Sequence, residues 1–222
     1  MSDIHGNFLK FKEMIKKINL KPNDTLYVLG DFIDRGSDSI NLLIYIMNEP
    51  NIKVILGNHE DLMIETLRGD SSSKDVWFNV GGFETYKSYN KLTKELKRAV
   101  FNYLCFLPLF IIKDNFILTH SGLNLPKYIR NKNLTEIIEF QDRQDFIWSG
   151  YNFYQNPAID TFTVIFGHTP TYNIDSRNSK NNKMFIWHDD IYKDKICLDC
   201  GEGFENGRLA CLCLDTMKEF YI

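Results

Sequence analysis

The heptapeptide Gly30-Asp31-Phe32-Ile33-Asp34-Arg35-Gly36 restricts the fold of this chain more than any other part of the sequence. It follows an apolar run at residues 26–29, which is typical of a buried strand, and it precedes a polar turn that opens a helical pattern. Charged side chains directly after a buried strand lie at the carboxyl edge of a sheet, where open α/β sheets bind ligands. Two carboxylates and a guanidinium can hold a cation and an anion together. We therefore predict a ligand site at this edge.

The same succession of strand, polar loop and helix recurs nearby. The apolar run at 52–56 ends in Gly57-Asn58-His59-Glu60, and a helical pattern follows Asp3-Ile4-His5-Gly6. This repetition predicts a mainly parallel sheet with one functional edge. Only two residues precede Asp3, so we expect the first central strand to be truncated, through a misplaced start codon or a shortened chain. Asp3 and His5 are then expected to fray.

The second half of the chain has short apolar runs separated by turns. A hairpin is predicted at residues 109–118, and strand-like runs end in His120-Ser121-Gly122 and Gly167-His168-Thr169. With the C-terminal runs, they predict a second, more antiparallel sheet packed on the first. Residues 70–90 are polar and predict a surface excursion or cap over the functional edge. We expect residues 1–222 to form a single domain.

Composition excludes several classes of partner. A formal net charge of -3 gives no bulk attraction to nucleic acid or to acidic membrane surfaces. No apolar stretch approaches 18 residues, and no basic-then-apolar leader is seen. We predict a cytoplasmic protein with no nucleic-acid and no membrane partner. An odd number of cysteines fits reduced thiols better than a disulfide framework; they are Cys105, Cys197, Cys200, Cys211 and Cys213. A zinc knuckle is not expected, because the last four lie in strand-like runs rather than in turns.

Potential metal ligands follow five of the strand-like runs. A single histidine in such a loop is usually an ordinary polar residue, but four of them with acids and an asparagine at one sheet edge have no purpose in core packing. Oxygen and imidazole donors suit two divalent ions such as manganese, iron or zinc. The candidate ligands are Asp3, His5, Asp31, Asn58, His120 and His168.

Chemistry assigns distinct tasks to these neighbours. Asp31 can bridge two ions with its two oxygens, and ions about 3.5–4 Å apart can share and deprotonate a water. Asp34 can hold His59 protonated, so that His59 donates a proton to the leaving-group oxygen. Arg35 can clamp phosphate oxygens, and the neutral carbonyl of Asn58 does not repel them. The predicted substrate contacts are Arg35, Asn58 and His59.

In order, the motifs resemble those of the metallophosphoesterase superfamily, and more narrowly its phosphoprotein phosphatase branch in bacterial and phage form. They are Asp3-x-His5-Gly6, GDFIDRG from Gly30, GNHE from Gly57, His120-Ser121-Gly122, Gly167-His168-Thr169 and Leu198-Asp199-Cys200-Gly201. The resemblance implies an α/β fold, a calcineurin-like β-sandwich of two mixed sheets flanked by helices. It implies two ion sites that share Asp31, one with Asp3 and His5, the other with Asn58, His120 and His168. It also implies that His59 is a general acid oriented by Asp34, and that Arg35 binds phosphate.

One feature of the branch is missing. A second phosphate-binding arginine is expected shortly after Trp148, where this chain has none. The candidate substitutes are Arg130, Arg143 and Arg177. Tyr151 and Tyr154 are candidates for lining a substrate groove.

We predict a two-metal phosphomonoesterase of the serine/threonine protein phosphatase type, in which a metal-bridging hydroxide attacks the phosphate directly. The expected substrate is a phosphoprotein or a phosphorylated small molecule, and the expected cofactor is a pair of Mn²⁺ ions, with Fe or Zn as alternatives. Two other hypotheses stay open. One is a dinucleoside polyphosphate (diadenosine tetraphosphate) hydrolase, as in a related branch. The other is an inactive metal- or phosphate-binding module, if the first strand is truncated.

Overall fold

Helices dominate the first half of the chain and strands the second. The structure is a computed structural model that describes residues 1–149, 153–180 and 183–222. Its helices are α1 (Phe8–Ile18), α2 (Ser39–Asn48), α3 (Asn58–Arg68), α4 (Ser71–Asn79), α5 (Phe83–Asn90), α6 (Lys94–Cys105), α7 (Lys127–Arg130), α8 (Leu134–Phe140), α9 (Arg143–Ile147) and α10 (Thr171–Ile174). Its strands are β1 (Leu26–Val28), β2 (Ile52–Val54), β3 (Phe110–Lys113), β4 (Phe116–Thr119), β5 (Thr163–Phe166), β6 (Ser179–Lys180), β7 (Lys183–Met184), β8 (Trp187–His188), β9 (Lys195–Cys197), β10 (Ala210–Leu212) and β11 (Glu219–Tyr221). A 3₁₀ turn spans Ser176–Asn178.

Strands β1 and β2 form the parallel pair that the sequence predicts. Leu26 pairs with Ile52 and Val28 with Val54, while α2 makes the crossover between the strands. Both strands therefore end at one edge, where the loop containing Asp31 lies next to the start of α3.

The second sheet is mixed, with strand order β3-β4-β5-β9-β8. The predicted hairpin is present, because β3 and β4 are antiparallel. As predicted, this sheet is more antiparallel than the pair of β1 and β2, since β8 and β9 are antiparallel too, but its central strands β4, β5 and β9 are parallel. The segments that connect these parallel strands contain helices α7 to α10, and each segment is long enough for a parallel crossover. His120 and His168, which follow the parallel neighbours β4 and β5, thus lie at one end of this sheet.

The first residues run alongside β1 and are not frayed. The Met1 amino group donates to the Tyr27 carbonyl at 2.9 Å, and the Leu29 N–H donates to the Met1 carbonyl at 2.9 Å. Asp3 and His5 are 2% and 4% exposed, so the expectation that they fray is wrong. Pairing of their backbone with the loop after β1 stabilises both side chains at the site.

The core consists of two apolar clusters. The smaller lies between the sheets and joins Leu29 and Ile55 to Leu118, Ile165 and Ile196. The larger packs the helices on the outer faces of the sheets. Each fully buried aliphatic side chain contributes about 1.5–3 kcal/mol relative to exposure. Layers of this kind give the predicted sandwich flanked by helices.

The predicted surface excursion at residues 70–90 consists of two helices, α4 and α5. Trp77 of α4 is completely buried and α4 packs on α3, while the outward side carries polar residues together with the exposed Val76 and Phe83. Within the described parts of the chain, no helix has the length and apolarity that crossing a membrane requires.

Candidate metal centre

Four predicted ligands meet where the two sheets end. The Oδ1 atom of Asn58 lies 2.8 Å from His120 Nε2 and 3.0 Å from His168 Nδ1. Asp31 Oδ1 lies 3.4 Å from His120 Nε2. The residues come from the loop after β1, the first turn of α3 and the loops after β4 and β5. The structure therefore brings together side chains that are far apart in the sequence, with a largest separation of 137 positions, from Asp31 to His168.

The chemistry of this donor set fits a divalent cation. His120 Nδ1 lies 2.7 Å from the Leu29 carbonyl oxygen, which can only accept, so this nitrogen carries the ring proton. A metal ligand must be unprotonated, and an unprotonated Nε2 would direct its lone pair toward the oxygens of Asn58 and Asp31. Three such acceptors would repel one another, and a cation among them would remove that repulsion.

A second group of possible ligands contains His5, Asp31 and His59. One ligand atom from each lies within 4.8 Å of the others, as is also true of Asp31, His120 and His168. The grouping differs from the predicted first ion site, since it includes His59 and lacks Asp3. The Asp3 carboxylate accepts the His168 backbone N–H at 3.1 and 3.2 Å, so it lies next to the loop that carries another predicted ligand.

Asp31 belongs to both groups and is ionised. Burial alone would raise the pKa of Asp31, but the surrounding histidines outweigh burial and hold this pKa below its ordinary value. A permanently charged carboxylate between two sets of imidazoles is suited to a shared ligand.

His59 is hydrogen-bonded to Asp34 as predicted. Its Nδ1 lies 2.7 Å from Asp34 Oδ2, and its Nε2 lies 3.5 Å from Arg35 Nη2. Burial opposes the charged form, but the negative charge of Asp31 and the bond to Asp34 raise the pKa of His59 to about 9. The imidazole therefore holds a proton at neutral pH in the metal-free protein.

The site loops have unusual backbone geometry. Six site residues have positive φ, namely Asp3, His5, Asp31, Asp34, Arg35 and His168. Such angles cost energy in residues other than glycine and persist where the surroundings over-determine them. Gly30 is also required, since a Cβ there would lie 2.6 Å from Gly57 Cα and 2.7 Å from His120 Nδ1.

Glu60 is a site residue that sequence reasoning missed. Its buried carboxylate accepts backbone N–H groups of residues 31, 32, 33 and 57 at 2.8–3.2 Å. It thereby joins the two ligand loops. Its position three residues after the N-cap Gly57 lets the carboxylate accept the Gly57 N–H, which is one half of a capping box, since glycine has no side chain to supply the other half.

Glu60→Ala is expected to lower the free energy of unfolding by about 3 kcal/mol or more, because four buried N–H groups lose their acceptor. Urea unfolding measures this change. Glu65→Ala is the matched control on the same helix, since Glu65 forms an exposed pair with Arg68, and this substitution should cost less than about 0.5 kcal/mol. Equal effects of the two substitutions would contradict the function assigned to Glu60.

Several buried groups of the metal-free site have shifted pKa values. Burial, with the Asp31 charge, raises the pKa values of Asp3 and Glu60 to about 8. Burial lowers the pKa values of His5 and His168 to about 3. Between about pH 6.5 and 9 the folded protein thus binds more protons than the unfolded chain, at Asp3, Glu60 and His59.

The metal-free protein is therefore expected to lose stability as pH rises from about 6.5 to 9, by roughly 1.4 kcal/mol per pH unit for each proton released. His5 and His168, whose pKa values are lowered, oppose this trend only below pH 6.5, where these histidines bind protons in the unfolded chain but not in the folded protein. Melting temperatures of chelator-treated protein at pH 6.5, 7.5 and 8.5 test it. Manganese should flatten the dependence, since a cation takes the place of protons. A melting temperature that rises over this range would contradict the assignment.

The remaining predicted residues have other contacts. Arg143 binds Asp61 at 2.5 and 2.9 Å, Arg177 binds Asp175, and Arg130 Nε donates to the Leu125 carbonyl. These contacts give no support to a second phosphate-binding arginine among the three. The Tyr154 hydroxyl pairs at 2.5 Å with that of Thr169, next to His168, whereas Tyr151 lies outside the described residues.

Comparison with curated proteins finds nucleotide and polyphosphate hydrolases. The chain is 41% identical over 71 residues to a symmetrical bis(5'-nucleosyl)-tetraphosphatase of Haemophilus ducreyi (31% of this chain, 26% of that protein). It is 31% identical over 147 residues to a protein of the same name from Actinobacillus pleuropneumoniae (62% and 47%). It is 40% identical over 79 residues to a zinc-dependent endopolyphosphatase of Saccharomyces cerevisiae (34% and 24%). The chain spans less than half the length of each of these relatives.

Comparison with solved structures confirms the fold. A crystal structure assigned provisionally as a diadenosine tetraphosphatase has a TM-score of 0.68 at 18% identity, over 100% of this chain and 90% of that one. A serine/threonine phosphatase from Saccharomyces cerevisiae has a TM-score of 0.58 at 18% identity, over 94% and 69%. At such identities the likeness concerns the fold alone.

A family model described as calcineurin-like phosphoesterase matches residues 1–196. This range includes every predicted ligand and the His59 and Asp34 pair, so the family prediction made from the motifs is confirmed. This chain belongs to the calcineurin-like phosphoesterase family.

Proposed function

We propose that this chain hydrolyses a phosphoanhydride bond of a dinucleoside polyphosphate, with diadenosine tetraphosphate as the first candidate. The observation that carries the proposal is the position of the His59 and Asp34 pair next to two converging groups of metal donors around Asp31. Its substrate class rests on the relatives, two of which bear the name bis(5'-nucleosyl)-tetraphosphatase.

Asn58, His120, His168 and Asp31 would hold one divalent ion, and Asp31 with His5 and Asp3 the other. Bound ions would supply Lewis acidity, lower the pKa of water and neutralise phosphate charge. Because the donors are nitrogen and oxygen, we propose manganese, with iron and zinc as alternatives. Metal analysis of the purified protein and reconstitution with each ion distinguish these choices.

The protein's own side chains would orient the phosphates and the proton. The Arg35 guanidinium, 3.5 Å from His59 Nε2, would bind non-bridging oxygens in bidentate fashion. With Nδ1 held by Asp34, His59 would present its Nε2 proton to the departing phosphate oxygen.

Two exposed aromatic rings favour a substrate with bases. Phe204 is 51% exposed and its ring lies 5.2 Å from Arg35 Cζ, while Trp148 is 40% exposed and its ring centroid lies 5.5 Å from that of His168. Bases stack on aromatic side chains. The phosphoprotein substrate that the motifs alone favoured has no comparable support.

Product analysis of diadenosine tetraphosphate incubated with the protein and Mn²⁺ tests the proposal. Symmetrical cleavage adds one water across the central P–O–P bridge and yields two molecules of ADP. A phosphoserine peptide and a nitrophenyl phosphate are the comparison substrates. Turnover of the phosphopeptide alone would overturn the proposal in favour of the phosphatase hypothesis. Binding of manganese without turnover of any substrate would overturn it in favour of an inactive module.

A further inference from the structure

Trp77 is a buried tryptophan for which the proposed chemistry has no use. It lies in α4, is 0% exposed, and is the largest of the completely buried side chains. Its indole Nε1–H donates to Asp34 Oδ2 at 2.6 Å. A helix from the segment outside the sheets therefore reaches the carboxylate that orients His59.

The Trp77 bond falls on the one oxygen that Asp34 uses. Asp34 Oδ2 also binds His59 Nδ1 at 2.7 Å, whereas Asp34 Oδ1 is buried without a hydrogen-bond partner in the part of the chain that the structure describes. Asp34 is itself 0% exposed and has a φ of +72°. Without the indole, the His59 contact would be the remaining described hydrogen bond to this carboxylate, which could then rotate.

The turn after α4 supports the same arrangement. The Gly82 N–H donates to the Trp77 carbonyl at 2.9 Å, and a Cβ at position 82 would overlap the indole ring. The Arg35 N–H donates to the Gly81 carbonyl at 3.2 Å. Helix α4 and its turn thus contact both the partner of the proposed acid and the proposed phosphate clamp.

We propose that Trp77 is a positioning residue, which fixes the Asp34 carboxylate so that His59 aims its Nε2 proton at the leaving group. This inference rests on the proposed function of His59 as the proton donor. Partners that orient functional side chains typically contribute 10–100-fold to activity. The contribution of Trp77 should appear only where the leaving group requires a proton.

The test compares two substrates that the wild-type protein accepts and that carry the same phosphoryl group. One is a nitrophenyl ester and the other is an unsubstituted phenyl ester. Nitrophenolate leaves without a proton, whereas phenolate depends more on one. Trp77→Phe should lower kcat for the phenyl ester about 10–100-fold and for the nitrophenyl ester less than about 3-fold. A benzothienyl side chain at position 77, which replaces the indole N–H with sulfur at nearly equal volume, should give the same pattern without a cavity.

Two control variants separate the possible failures. Trp187→Phe changes a buried tryptophan of β8 in the same way and should affect both esters equally or not at all. His59→Asn should show the same selective loss as Trp77→Phe, but a larger one. If His59→Asn is selective and the Trp77 variants are not, the positioning inference alone is overturned. If His59→Asn is not selective, the proposed function of His59 is overturned, and the inference with it.

Discussion

Replacing His59 with asparagine is expected to lower the turnover number for a phenyl ester, whose leaving group needs a proton, by about 10²–10⁴-fold while the protein retains bound manganese. Asparagine cannot release a proton to the leaving oxygen, whereas its Nδ2 atom can take the place of His59 Nδ1 next to Asp34 Oδ2, so the substitution removes the acid without removing that contact. Steady-state kinetics on the phenyl ester, together with elemental analysis of the variant, measure both parts of the expectation.

The metal content decides between two functions for His59. The structure groups a ring nitrogen of His59 with ligand atoms of His5 and Asp31, so a function as metal ligand is an explicit rival. Loss of one equivalent of manganese from His59→Asn would support the rival and contradict the acid. His188→Asn is the matched control, because His188 is an exposed histidine paired with Glu219, and it should leave turnover unchanged.

Asp31→Asn is expected to weaken manganese binding at both sites by at least about 10²-fold and to reduce turnover at least as much. This expected loss of affinity is larger than the loss caused by removing a residue that only orients a metal ligand, because Asp31 would itself bind both ions. The neutral amide also removes the charge that raises the pKa values of Asp3 and Glu60. Titration calorimetry with Mn²⁺ gives the affinities.

Asp114→Asn is the matched control for this substitution. Asp114 lies in the exposed turn between β3 and β4 with a φ of +54°, which asparagine tolerates well. It should leave both manganese affinities unchanged. If one ion still bound Asp31→Asn with wild-type affinity, the carboxylate would not be shared.

The order of the motifs along the chain placed the candidate ligands in loops that follow strand-like runs. Asp31 and Asn58 follow β1 and β2, whose parallel pairing was predicted, so these two residues had to lie at a common edge. His120 and His168 follow β4 and β5, whose parallel pairing was visible only in the structure. The division of the ligands between two ion sites came from the family resemblance.

Other features escaped the sequence because they join residues far apart in the chain. Strands β4, β5 and β9 read as short apolar runs, and such runs do not reveal whether their neighbours are parallel. Residues 70–90 are rich in polar side chains, and this composition does not reveal that the indole of Trp77 is buried. The motifs also do not distinguish anhydride hydrolases from ester hydrolases, so the proposed substrate class rests on the relatives.

By itself the sequence determined which side chains could bind metal, hold a proton or clamp a phosphate, because those capacities belong to the residue types and to their places after strands. Only the tertiary structure decided how the capacities combine. It placed Glu60 under four backbone N–H groups of two loops, and it aimed Trp77 and His59 at the same oxygen of Asp34. The reason is physical: a hydrogen bond depends on distances of a few tenths of an ångström, and packing across both sheets and the helices around them sets those distances.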